Sequence, residues 1–293
     1  MENKIYTQAP LPFMGQKRRF LNDFKLALDQ FKDARVFVDL FGGSGLLSHV
    51  AKRARPNCRI IYNDYDDYHI RLANIDRTNQ MLARLRILVE GATPDKRLPE
   101  SYRDRILSYL ADQELEGFVD YITLSSSLLF SMNYATTLES FAKQTMYNCV
   151  RKADYNGSGY LDGLEVVKYD YKELFEQFKS EPGVVFFVDP PYLSTESGVY
   201  KNYWRLSDYL DVLNVIKDTS YFYFTSNKSS ILELCEWLEL NLSAVNPFRG
   251  STFKGMQVSV NYSSSYSDIM LYKNQNTNAS GPLKVPDFQT TIS

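Results

Sequence analysis

Apolar and β-branched residues fall in short blocks along the chain, separated by glycine-rich or polar boundaries, and these blocks set the expected elements. Val36-Phe37-Val38-Asp39-Leu40 reads as a strand. Phe41-Gly42-Gly43-Ser44-Gly45 interrupts it, and Leu46-Leu47-Ser48-His49-Val50-Ala51 then reads as a helix. A second strand, Arg59-Ile60-Ile61-Tyr62, ends at Asn63-Asp64, and a helical pattern follows over residues 68–88. Strand, glycine loop, helix and strand in this order begin a right-handed βαβ arrangement.

Across residues 77–163 the alternation of strand and helix disappears, and the sequence turns helical with polar and aromatic punctuation. That interval far exceeds the dozen or so residues of an ordinary crossover, so it predicts an inserted helical module. Sheet signals return at Leu164-Glu165-Val166-Val167, at Val184-Val185-Phe186-Phe187-Val188 and at Tyr221-Phe222-Tyr223-Phe224-Thr225. The second of these is apolar without a break, as in a strand covered on both faces. Gln257-Val258-Ser259-Val260-Asn261-Tyr262 and Asp268-Ile269-Met270-Leu271-Tyr272 flank a serine-rich turn and predict a terminal antiparallel hairpin. The polar, proline-spaced remainder predicts a mobile tail over 274–293. The expected organisation is one α/β domain from residues 1–76 and 164–273, a helical insertion at 77–163, and the tail.

Composition narrows the classes of function. With 44% hydrophobic and 23% charged residues the chain is of ordinary globular type, and no apolar stretch is long enough to cross a bilayer. The start, Met1-Glu2-Asn3-Lys4, lacks the apolar core of a secretory signal, so the cytoplasm is the expected location. Cys58, Cys149 and Cys235 lie far apart and suggest reduced packing residues. With His49 and His69 they complete no usual ligand spacing, and no metal is expected. A formal net charge of −2 means that any polyanion must be met by local basic clusters such as Lys17-Arg18-Arg19, although each cluster alone reads better as a solvated helix face.

Chemistry concentrates at Asp189-Pro190-Pro191-Tyr192, directly after the apolar strand, where α/β folds place their ligands. An exocyclic amine is a poor nucleophile because its lone pair is delocalised into the ring. Acceptors for its two hydrogens favour a more tetrahedral nitrogen. The Asp189 carboxylate can be one acceptor and the Pro190 carbonyl the second, with Pro191 fixing the chain direction and Tyr192 offering an aromatic face to an extruded base. The alternative is an ordinary strand-ending turn, since Asp-Pro and Pro-Pro are common turn dipeptides. Phe41-Gly42-Gly43-Ser44-Gly45 lets backbone approach a nucleoside, and Asp39 before it can accept from an ammonium group. The spacing matches neither the dinucleotide fingerprint nor a phosphate loop. Asp64, ending the second strand, suits two ribose hydroxyls and repels phosphate.

In motif order the chain resembles the Dam-type family of DNA adenine-N6 methyltransferases, over most of its length. Pro12-Phe13-Met14-Gly15-Gln16-Lys17 is similar to the family's N-terminal segment, and the resemblance implies that Phe13 and Lys17 contact the methionine part of S-adenosylmethionine. It also implies cofactor contacts from Asp39, Phe41, Gly42, Gly43, Ser44, Gly45, Asp64, Asp170 and Asp189, with Asp170 meeting the cofactor adenine or, alternatively, capping a helix. Catalysis falls to Asp189, Pro190, Pro191 and Tyr192. The family usually carries tryptophan at Phe13 and lysine at Pro12. The implied fold is a seven-stranded Rossmann-like class I methyltransferase with a helical target-recognition insertion, where the resemblance is weakest. Asn133, Tyr134, Tyr147, Asn148, Arg151, Lys152 and Asn156 there mix amides, cations and aromatics suited to base edges and phosphates, against the alternative of a polar helical subdomain.

The implied partner is double-stranded DNA, with a cognate restriction endonuclease as a further partner and a monomer expected over a dimer. N4-cytosine methylation, RNA adenine methylation and a catalytically silent nucleic-acid-binding module are the competing readings. A cytosine-C5 enzyme would need a nucleophilic cysteine beside a proline, and none of the three cysteines has that context.

Overall fold

The computed structural model describes residues 5–130, 133–192, 204–261 and 264–276. Among these residues seven strands run β1 (Val36–Asp39), β2 (Arg59–Asn63), β3 (Glu165–Val167), β4 (Val184–Val188), β5 (Ser220–Ser226), β6 (Thr252–Asn261) and β7 (Ser264–Lys273). Among the described residues ten α-helices are interspersed: α1 (Leu21–Leu28), α2 (Leu46–Ala54), α3 (Tyr68–Ala73), α4 (Ile75–Leu88), α5 (Glu100–Glu116), α6 (Tyr121–Leu128), α7 (Leu138–Ala142), α8 (Tyr171–Phe178), α9 (Leu206–Ile216) and α10 (Ile231–Leu242). The chain forms two compact units. One comprises Lys17–Tyr65 and the described residues from Leu161 onward, and the other the described residues up to Gln16 with Asp66–Tyr160.

The first unit is built on a single sheet of order β3-β2-β1-β4-β5-β7-β6. Five strands are parallel, and β7 enters antiparallel between β5 and β6, so the terminal hairpin closes one edge. This is the Rossmann-like class I methyltransferase topology. The apolar run of β4 explains its central place, because alternate residues face opposite ways. Phe186 and Val188 enter a core with Leu174, Val212, Ile216 and Ile231 from α8, α9 and α10. Phe187 faces the other way, with its ring 5.2 Å from Phe24 of α1 and 5.6 Å from Phe222 of β5. Both faces are covered, which leaves the carboxyl ends of the strands as the open rim for chemistry.

The second unit holds α3 to α7 around Met81, Leu85, Ile106, Leu110, Leu124, Leu128 and Phe141. At its centre Asp120 caps α6 by accepting the Thr123 amide N–H at 3.0 Å, and it pairs with the buried Arg71 at 3.0 Å. Arg71 also donates to the Pro12 carbonyl at 2.8 Å, and the Tyr68 hydroxyl bonds to the Leu11 backbone. These long-range bonds join residues 5–16 and 66–76 to the helical unit, whereas the sequence reading groups them with the sheet.

The single helical pattern at 68–88 is two helices. Asn74 ends α3, and its amide side chain donates back to the Ile70 carbonyl at 2.8 Å. The expected mobile tail is anchored at its start. Asn274 donates to the Gln30 carbonyl, and Gln275 bonds to Ser220 and Thr219. The remainder, 277–293, lies outside the described residues.

Candidate active site

Strand β1 delivers Asp39 to the rim. Its side chain is 1% exposed, and Oδ2 accepts from the Ser48 hydroxyl at 2.7 Å while Oδ1 has no hydrogen-bond partner. Burial pushes the Asp39 carboxyl up to about 7, and nearby Asp189 adds to the rise, while the Ser48 bond and Lys17 oppose it. A buried carboxylate oxygen with nothing to accept is costly unless a ligand supplies a donor.

The glycine loop has the shape that such a ligand needs. Gly45 adopts φ +72° as it enters α2, and its amide closes a turn onto the Gly42 carbonyl at 2.7 Å. A Cβ on Gly42 would lie 2.4 Å from the Tyr62 ring, so only glycine fits there. Tyr62 of β2 supports the loop from below, donating from its hydroxyl to the Gly43 carbonyl at 2.7 Å. Phe41 sits at the mouth of the loop with its ring 5.0 Å from Tyr171 and 5.7 Å from Trp204. Ser44 is buried.

The next two strand ends are tied to this loop by Asn63. Its Nδ2 donates to the carbonyls of Leu40 and Tyr169, both at 3.0 Å, and its Oδ1 accepts the Tyr169 amide N–H at 2.9 Å. Asp64 follows, fully buried, with its amide bonded to the Val167 carbonyl at 2.8 Å. Asp170 caps α8, accepting the Lys172 amide N–H at 2.8 Å, and stays exposed. The helix-cap reading of Asp170 is therefore realised, with one carboxylate oxygen already used.

At the end of β4, Asp189 pairs with Lys17 at 2.6 Å, the two side chains 18% and 9% exposed. Burial raises the Asp189 carboxyl above the ordinary range, the Lys17 ammonium opposes the rise, and Asp268 reinforces it. Pro190 is buried, and Pro191 and Tyr192 are half-buried. The Lys17 ammonium lies 5.5 Å from the Tyr192 ring centroid and 6.0 Å from that of Phe224. Asp268 of β7 lies close enough to raise the Asp189 carboxyl further, and burial pushes its own carboxyl up as well.

The structure thus gathers Lys17, Asp39, residues 41–45, Asp64, Asp170 and residues 189–192 along one rim of one unit. Phe13 belongs to the helical unit, edge-on to Tyr68 with ring centroids 5.7 Å apart. Asn133, Tyr134, Tyr147, Asn148, Arg151, Lys152 and Asn156 are in that unit too. Of these, Asn133, Arg151, Lys152 and Asn156 are exposed. Asn148 spends its amide on the Ala92 carbonyl, and Asn156 accepts from the Ser158 amide. Arg151 lies over the Tyr155 ring at 4.5 Å. Sequence reasoning missed Asn63, Tyr62, Ser48 and Asp268. Only the tertiary fold shows their roles, apart from Ser48, which stands three residues into the helix that follows the glycine loop. Among the described residues no group of three or more His, Cys, Asp or Glu side chains could hold a metal ion, and no helix is long and apolar enough to cross a membrane.

Comparison with known proteins identifies the family. A "Putative methyltransferase" of Haemophilus influenzae (strain ATCC 51907 / DSM 11121 / KW20 / Rd) is 35% identical over 281 residues, covering 92% of this chain and 93% of that protein. Among solved structures, a precorrin-6y C5,15-methyltransferase from Geobacter metallireducens aligns at 11% identity and a TM-score of 0.36, covering 93% of this chain and all of that one. An rRNA methylase from Streptococcus thermophilus aligns at 10% identity and a TM-score of 0.32, covering 89% of this chain and 99% of that one. Both likenesses are too distant to carry weight. Residues 13–236 match the D12 class N6 adenine-specific DNA methyltransferases, and by that match this chain belongs to the family, whose enzymes take the methyl group from S-adenosylmethionine and transfer it to adenine N6 in DNA.

Proposed function

We propose that the sheet unit carries the whole transfer site, with the helical unit supplying DNA recognition. The observation that carries this reading is the shared rim, where the unpartnered Asp39 Oδ1 and the Lys17–Asp189 pair lie at the ends of adjacent strands β1 and β4. The residues fit S-adenosylmethionine. Asp39 would face its ammonium group, residues 41–45 its nucleoside, Asp64 the ribose hydroxyls and Asp170 the adenine, with Lys17 at the methionine part. When bound, the cofactor supplies an electrophilic methyl group.

The remaining work falls to the chain itself. Lys17 occupies Asp189 Oδ2, which leaves Oδ1 to accept one hydrogen of the target amine, and the Pro190 carbonyl accepts the other. These two acceptors favour a tetrahedral nitrogen. Pro191 holds the turn, and Tyr192 offers its ring to a base taken out of the duplex. Exposed Arg151, Lys152, Asn133 and Asn156, with Tyr134, Tyr147 and Asn148, form the proposed DNA-reading surface. The proposal extends to a cytoplasmic monomer acting on duplex DNA, with a cognate restriction endonuclease sharing its target sequence.

Equilibrium dialysis of labelled S-adenosylmethionine tests the cofactor assignment. Asp64→Ala is expected to weaken binding by about 10-fold or more, the loss of a charge-assisted hydrogen bond from a buried site. Asp170→Ala is expected to weaken it less, because Asp170 is exposed and already caps α8. Unchanged affinity in Asp64→Ala would overturn the placement of the ribose.

A further inference from the structure

The terminal hairpin overhangs the transfer site. Val188 of β4 pairs with Tyr223 of β5, so β5 runs on past the level of Asp189 to Ser226, which pairs with Asp268. Beyond that point β7 pairs with β6 alone, with Tyr266 opposite Val258 and Ser264 opposite Asn261. The overhang is pinned at its root. The Ser267 amide donates to Asn227 Oδ1 at 2.8 Å, and the Asn227 amide donates to the Ser267 carbonyl at 2.9 Å. Alternation along β7 puts Tyr266 on the same face as Met270 and its partner Phe224, the face on which the Lys17 ammonium lies 6.0 Å from the Phe224 ring centroid.

Lys228 follows Asn227 and sets its ammonium 4.6 Å from the Tyr266 ring centroid. Its backbone is held too, the amide donating to the Ser226 hydroxyl at 3.2 Å. The side chain is exposed, and among the described residues no carboxylate forms an ion pair with it. A second exposed cation, Arg19, stands near enough to act on the Tyr266 phenol and the Asp268 carboxyl. The local carboxylates leave this charge uncancelled, since Asp189 is paired with Lys17 and Asp268 is half-buried. An ammonium seated on an aromatic ring keeps its charge and gives up part of its freedom, so it meets an anion with less entropy to lose.

A nucleotide taken out of a duplex stays joined to its strand by a phosphate on either side, so backbone phosphates must pass the lip of the pocket that receives its base. We propose that Lys228, carried on the Tyr266 ring, binds a backbone phosphate of the strand whose adenine enters the transfer site. Such a contact positions the strand and reads no sequence, in contrast to the surface proposed for the helical unit. This placement rests on the proposed reading of Asp189 as the acceptor that meets the target amine.

Salt dependence distinguishes a phosphate contact from packing of the lysine stem. The full chain is titrated against an end-labelled, mixed-sequence duplex, with anisotropy read at rising KCl. Lys228→Gln is expected to weaken binding about 10-fold at low salt, the loss of a hydrogen bond to a charged group. It should also flatten the slope of log affinity against log salt by about 0.9, the value for one phosphate contact. Lys228→Arg should restore both, and Tyr266→Leu, which removes the ring and leaves the charge, should weaken binding by a smaller factor. Lys217→Gln, exposed at the end of α9 beside the opposite edge of β5, should leave the slope in place. In turnover, Lys228→Gln should raise KM for DNA about 10-fold, with KM for S-adenosylmethionine nearly unchanged. An unchanged slope in Lys228→Gln, or equal flattening in Lys217→Gln, would overturn the proposal, as would a flattened slope with KM for DNA unmoved. If slope and KM both respond but Asp189→Ala retains turnover, the phosphate contact stands and the reading of Asp189 falls.

Discussion

Replacing Asp189 by alanine is expected to lower kcat for methyl transfer about 1000-fold, while the affinity for S-adenosylmethionine stays within a few-fold of wild type. The two effects separate because Asp189 is one of many expected cofactor contacts but one of only two acceptors for the amine. Removing a preorganised acceptor in a water-poor site forfeits an interaction that strengthens as the nitrogen becomes tetrahedral, so the loss falls on kcat. The variant has a second, diagnostic effect. Asp189 helps to raise the Asp39 carboxyl, so its removal should let Asp39 ionise at lower pH and shift the pH profile of cofactor binding toward acid. In the wild type the acid limb of kcat should lie above the ordinary carboxylate range, since burial raises Asp189. Retained turnover in Asp189→Ala would remove Asp189 from the chemistry.

Asp39→Asn is expected to make the protein more stable and a poorer binder. In the native state the Asp39 carboxyl titrates at about 7, against roughly 3.9 in the unfolded chain. A carboxyl raised in this way favours the native state at low pH, where it is protonated. That contribution is lost as pH climbs from about 4 through about 7. At pH 8 the native protein must carry a buried, half-satisfied carboxylate, at a cost of up to about 4 kcal/mol, three units at roughly 1.36 kcal/mol each. Asparagine avoids that charge and keeps an acceptor for Ser48. Urea denaturation should therefore show a gain at pH 8 that shrinks toward pH 4. Cofactor affinity should drop about 10-fold or more with the lost ion contact. A variant less stable than wild type at pH 8 would show that the Asp39 carboxylate serves the fold and not the ligand.

The sheet was largely legible before any coordinates. Strands β1, β2, β4 and β5 are short apolar runs ending in Asp39, Asn63, Asp189 and Asn227 or their neighbours, and a run buried on both faces leaves few other assignments. The rim motifs were legible for the same reason, since each stands immediately after such a run. What the pattern did not reveal depends on contacts distant in sequence. Helical periodicity continues smoothly from α3 into α4, so the break at Asn74 and the separation of units at Asp66 become visible only through Tyr68–Leu11 and Arg71–Asp120. Asn274 and Gln275 look like tail residues, yet side-chain bonds to Gln30, Ser220 and Thr219 hold them. Asp268 looked like the polar start of a strand. Pairing with Ser226 brings it near Asp189, and nothing in local sequence encodes that register.

The cofactor rim and the acceptor pair at Asp189 together predict a single product. Incubating the protein with S-adenosylmethionine labelled in its methyl group and mixed-sequence duplex DNA, then digesting the DNA to nucleosides, should place the label in N6-methyladenine. Label found only in cytosine, or only when RNA is supplied, would contradict the account.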